Sequence, residues 1–82
     1  MPLFYFHLRD GEDVLLDPDG LELDDRATIA RRALIEARSI LSQDMLEGRI
    51  NLNQHIDVAD GGGLIVHSLW FCDAVQIVRK DS

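Results

Sequence analysis

This 82-residue chain has one cysteine, two prolines and no long apolar run. A single thiol, Cys72, leaves no internal disulfide and no cysteine-built zinc site, and the expected setting is reducing and cytoplasmic. The longest apolar stretches fall short of the roughly 18 residues of a membrane span, so no membrane role is expected. The opening Met1-Pro2-Leu3-Phe4-Tyr5-Phe6-His7 lacks a basic leader and soon meets Arg9-Asp10, so no signal peptide is expected. Bases are scarce: 8 Lys and Arg against 15 Asp and Glu give a net charge of -7. That excess argues against nucleic-acid binding by the chain itself, because neutralising phosphates requires surplus Lys and Arg. Hydrophobic residues make up 46% and charged residues 28%, the balance of a globular chain and one α+β domain over residues 1–82.

The charge is distributed unevenly. Asp10, Glu12, Asp13, Asp17, Asp19, Glu22, Asp24 and Asp25 precede a segment carrying Arg26, Arg31, Arg32, Arg38 and Arg49. An acidic loop region therefore leads into a mildly basic one.

Hydrophobic periodicity sets the expected elements. Phe4, Phe6 and Leu8 alternate with Leu3, Tyr5 and His7, which predicts a strand over 3–9. Asp10-Gly11 turns it into a return strand over 13–17, and Asp17-Pro18-Asp19-Gly20 stops that strand. Asp24 or Asp25 caps a helix over 25–47, free of Gly and Pro, that ends at Gly48. Ala30, Ala33, Leu34, Ala37, Leu41 and Met45 form its apolar stripe. This stripe is expected to meet Phe4, Phe6 and Ile56. Leu52, Gln54, Ile56 and Val58 alternate with polar residues, which predicts a strand over 51–59. Asp60-Gly61-Gly62-Gly63 makes a hairpin to a strand over 63–71. Val75-Gln76-Ile77-Val78 reads equally as a short strand or a turn capped by Asp73. The order hairpin, helix, hairpin (ββαββ) predicts a two-layer α+β sandwich, one long helix on one antiparallel sheet.

No residue set supplies a recognisable chemistry. With Gly20 at position 6 of a calcium loop, Leu15 falls at position 1 and Arg26 at position 12, where carboxylates are required. An irregular site from Asp13, Asp17, Asp19 and Glu22 is the remaining metal reading, set against their ordinary use as turn formers and helix-start charges. His7, His55 and His67 lie on separate strands without the short spacing of a metal motif. Ser39, Ser42, Ser68 and Ser82 lie outside any nucleophile elbow. Asp73 beside Cys72 disfavours a reactive thiolate. The expectation is no enzyme, no cofactor and no metal.

Phe6-His7-Leu8-Arg9-Asp10-Gly11, Asp17 to Gly20 with Glu22-Leu23, Ala30-Arg31, Ala33-Leu34, Ala37-Arg38, Leu41, Gly48 and Phe71-Cys72-Asp73-Ala74 follow a recurring plan. It resembles a family of short alphaproteobacterial, mainly rhizobial, proteins catalogued as a domain of unknown function. The resemblance implies a bacterial cytoplasmic protein and brings no activity with it. The first half is also similar in pattern to the N-terminal half of HicB-type antitoxins, which implies a binding partner. The DNA-binding segment common in that group is not expected here.

One helix covers one face of a sheet, and the chain holds more apolar residues than that core needs. Leu64, Val66 and Trp70 fall on the second face of the last strand and Tyr5 on that of the first. Ile35 and Leu46 lie off the helix stripe. These six are the expected interface of a homodimer or of a complex with another protein. Asp13, Asp17, Asp19 and Glu22 are the expected acidic partner-binding loop. The functional expectation is a self-associating interaction module; the alternative is an antitoxin-like partner that masks a basic or RNA-directed protein.

Overall fold

A computed structural model describes residues 2–80. In chain order the elements are β1 (Leu3–Asp10), β2 (Asp13–Leu15), β3 (Leu21–Glu22), α1 (Arg26–Leu46), β4 (His55–Ala59), β5 (Ile65–Trp70) and the short α2 (Phe71–Ala74). The strands form one open antiparallel sheet ordered β2-β1-β4-β5, with β3 pairing the start of β1. The helix lies against β4, β5 and α2, so the architecture is the two-layer α+β sandwich expected from the sequence.

Local chemistry explains the boundaries. Gly11 takes φ +61 at the first position of the two-residue turn between Asp10 and Asp13, which the right-handed twist of the hairpin favours. Asp25 is the N-cap, its side chain accepting the Thr28 N–H at 2.8 Å. At the other end Gly48 (φ +86) donates to the Met45 carbonyl at 2.9 Å and Arg49 donates to that of Asp44 at 3.2 Å, closing a Schellman motif.

The core consists of Leu23, Ile29, Ala33, Ala37, Leu41, Ile56, Val58, Phe71 and Ala74. Several details correct the sequence reading. The helix buries the i, i+4 row Ile29, Ala33, Ala37 and Leu41; Ala30 and Leu34 flank it, and Met45 is 61% exposed. Residues 51–54 form a turn rather than strand, because the Asn51 side chain accepts the Asn53 N–H at 3.0 Å and supplies a local alternative to the ladder. Phe71 does not continue β5 but begins α2, fully buried, with its N–H donated to the Gln54 carbonyl at 3.0 Å. Residues 75–80 lie in neither strand nor helix.

A register irregularity between Val58 and Ala59 changes the faces of β5. Val58 pairs with His67 and Ala59 with Ile65, which leaves Val66 as the extra residue. Val66 and Leu69 therefore both pack on the core, whereas alternation had placed Val66 on the outer face.

Candidate functional site

Two surfaces carry the chain's distinctive chemistry. The first is the sheet face away from the helix. Register sets Arg9 opposite His55, His55 opposite Trp70, and Asp57 between His7 and Ser68. Asp57 is the hub. Its Oδ1 accepts the Ser68 hydroxyl at 2.6 Å, and its Oδ2 lies 2.6 Å from Arg9 Nε and 3.4 Å from His55 Nε2. The Arg9 approach falls outside hydrogen-bond angles, so it acts through charge. Burial alone would raise the Asp57 carboxyl; the Ser68 hydrogen bond and the charges of His55 and Arg9 outweigh it and hold it below the ordinary aspartate range. The His55 ring stacks on Trp70 with centroids 4.0 Å apart.

Serine, histidine and aspartate thus meet, but in an order that does not activate the serine. Ser68 and His55 each lean on a different oxygen of Asp57, and the hydroxyl donates to the carboxylate rather than to imidazole. A general base must contact the nucleophile's own proton. The arrangement reads as a cross-strand polar network that ties β1, β4 and β5 together. Alternation in β4 places His55 and Asp57 on one face, but Arg9 and Ser68 join them only through strand register, which no local pattern displays.

The second surface is a groove of about 470 Å³ between α1 and the β2–β3 loop. The helix covers β4 and β5; Phe4, Phe6 and Leu8 of β1 pack on the edge of the core and stay partly exposed, and the inner side of β2 is open. Phe6, Leu8, Leu15, Leu16 and Ile40 form an apolar floor, with Asp17, Asp19, Arg32 and Glu36 around it. Arg32 and Glu36 form an i, i+4 ion pair at 2.7 Å. Leu15 and Leu16 are 69% and 62% exposed, a large apolar area to leave in water.

The six expected interface residues do not form one patch. Trp70, 47% exposed, sits on the outer face against His55. Tyr5 stacks near His7 on the same face and covers Gly20. Leu64 is exposed beside the β4–β5 turn, Ile35 and Leu46 are exposed on α1, and Val66 faces the helix. The acidic loop divides as well. Asp13, Asp19 and Glu22 are exposed, whereas Asp17 is partly buried and bonded within the chain. His7 and His55 lie on the outer face and His67 pairs with core residue Val58; among the described residues no three His, Cys, Asp or Glu side chains converge as a metal site. Leu15, Leu16 and Ile40 line the groove, whereas the sequence pattern marks Leu15 and Leu16 only as part of the return strand. The Leu15-Leu16 run before Asp17-Pro18 was the available signal, an apolar pair too close to a turn to be covered by it.

No helix among the described residues is long and apolar enough to cross a membrane. Comparison with curated proteins gives no match, and comparison with solved structures gives none. A family model described as "Domain of unknown function (DUF6894)" matches residues 3–72, from the start of β1 into α2. That match takes in the whole sheet, the helix and both surfaces just described, and the chain belongs to this DUF6894 family.

Proposed function

We propose that this chain is a non-enzymatic interaction module that self-associates. The observation that carries the reading is the open groove beside α1, where Phe6, Leu8, Leu15, Leu16 and Ile40 stay partly or largely solvated for want of a second covering element. Burying a leucine is worth about 1.5–3 kcal/mol, so covering this floor is a strong drive toward association. A closed two-fold pair is the commonest way to satisfy such a surface. The connectivity of the Asp57 network supports a structural rather than a catalytic use of its serine and histidine. The single free thiol, exposed at Cys72, supports a reducing, cytoplasmic setting.

Light scattering across micromolar to millimolar concentrations tests the reading. The expected result is a concentration-dependent species of twice the 9.3 kDa chain mass. A 9.3 kDa species throughout that range would overturn it.

A second reading, an antitoxin-like partner for a basic protein, draws support from the exposed carboxylates of Asp13, Asp19 and Glu22. Co-purification from the native host decides it. A basic partner whose capture is lost when these three become Asn, Asn and Gln supports the reading, and capture that survives the change refutes it.

A further inference from the structure

We propose that the groove is filled by the C-terminal segment Val75–Lys80 of a second copy, in a reciprocal two-fold exchange. The proposal rests on the self-association reading and names the surface and its occupant. The segment leaves α2 with extended backbone at Val75 (φ -138, ψ 154). Val75, Ile77 and Val78 are exposed at 36%, 64% and 78%, so three apolar side chains within four residues lack a covering surface among the described residues. Such a segment suits a groove whose floor is Phe6, Leu8, Leu15, Leu16 and Ile40.

Charge agrees with shape. The groove lining holds Asp17, Asp19 and Glu36 against Arg32 alone, a net charge of minus two. The segment carries Arg79 and Lys80, a charge of plus two that Asp81, next in the sequence, reduces to plus one, and neither base makes an ion pair among the described residues. The chain's net charge of -7 opposes pairing of two copies in general, so a contact that joins the acidic loop to these bases is a favoured way to bring them together.

Geometry favours a second copy over the chain's own tail. Ala74, where the tail begins, is held by its carbonyl to Arg38 Nε at 2.9 Å. Arg38 follows the buried Ala37 by one residue and Glu36 precedes it, so at 100° per residue they stand on opposite flanks of α1. Half the circumference of a helix about 11 Å across is roughly 17 Å. At about 3.4 Å per residue that path takes about five residues, so Val75, Ile77 and Val78 are passed before the groove is reached. A partner's tail meets no such obstacle.

Sedimentation velocity on the full chain tests this with Leu15→Glu, which breaks the groove, and Ile77→Glu, which breaks the tail. Both side chains are more than 60% exposed, so neither change disturbs the core, and far-UV circular dichroism verifies the fold. Each variant alone should dissociate at least about tenfold more readily than the unmodified chain, the loss of roughly 1.4 kcal/mol. An equimolar mixture should associate better than either variant alone, because one intact groove meets one intact tail. If Ile77→Glu pairs as tightly as the unmodified chain, the tail is not the occupant and self-association stands without it. If the mixture gains nothing, exchange between copies is refuted. A monomeric unmodified chain overturns both readings together.

Discussion

The Asp17 carboxylate takes the place of a strand along one edge of β1. Its Oδ2 accepts the Phe6 N–H at 3.1 Å, and the Asp17 N–H donates to His7 Nδ1 at 3.0 Å. β2 pairs Leu8 to Asp10 and β3 pairs Leu3 and Phe4, so residues 5–7 have no strand on that side. Asp17 closes the gap, while its Oδ1 accepts the N–H groups of Asp19 and Gly20 at 3.1 and 3.2 Å and shapes the loop. One side chain thus satisfies an edge strand and folds the wall of the groove.

Replacing Asp17 by Ala should cost about 1–3 kcal/mol, the value of hydrogen bonds to a partly buried charged acceptor. Asp17→Asn, which keeps an acceptor oxygen, should cost less. Urea unfolding measures both.

The same residue sets part of the acid sensitivity. Burial would raise the Asp17 carboxyl, but the N–H groups of Phe6, Asp19 and Gly20 together hold it below its ordinary value of 3.8. A carboxyl lowered on folding stabilises the native state at pH above its unfolded value and loses that contribution as pH falls through the folded one. The drop in melting temperature on acidification below about pH 4 should therefore be smaller in Asp17→Asn than in the unmodified chain. Equal slopes would contradict it.

Ser68→Ala removes the 2.6 Å hydrogen bond to Asp57. The Asp57 carboxyl should then titrate at higher pH, with Arg9 and His55 still holding it partly down. Carbon-detected NMR titration of Asp57 reads the change. An unmoved titration would mean that Ser68 does not contact the carboxylate in solution.

Phe71→Ala should be the most destabilising single change in the chain, about 3–5 kcal/mol, because it empties the largest fully buried side chain. A cost near that of an exposed residue would place Phe71 outside the core.

Gly20→Ala combines two penalties. Glycine there has φ +74, and an added methyl would lie 2.9 Å from the Tyr5 ring. Gly11, at φ +61 with open space around it, carries only the first. Gly11→Ala should cost about 1–2 kcal/mol and Gly20→Ala somewhat more. Tyr5→Ala should recover only the excess, which a double-mutant cycle in urea measures.

How much of this was legible beforehand follows the range of the forces involved. Local chemistry determined the helix with its Asp25 cap and Gly48 stop, both hairpin turns and the inner face Phe4-Phe6-Leu8, because caps, turns and periodicity act within a few residues. The two-layer sandwich followed from them, since one apolar helix and one apolar sheet face have a single economical partner each. Tertiary structure alone decided the rest. The bulge at Val66 turned that side chain inward by inserting one residue against β4, a change that strict alternation cannot register. The buried row of α1 settled on Ile29, Ala33, Ala37 and Leu41 because the helix rests over β4 and β5 rather than over the centre of the sheet. That offset left β2 and the β1 side next to it only partly covered and created the groove. The Asp57 network likewise exists only because pairing brings Arg9, His55 and Ser68 together from three strands. Contacts between residues tens of positions apart depend on register and on where the layers come to rest, and neither quantity is written in any one segment of the chain.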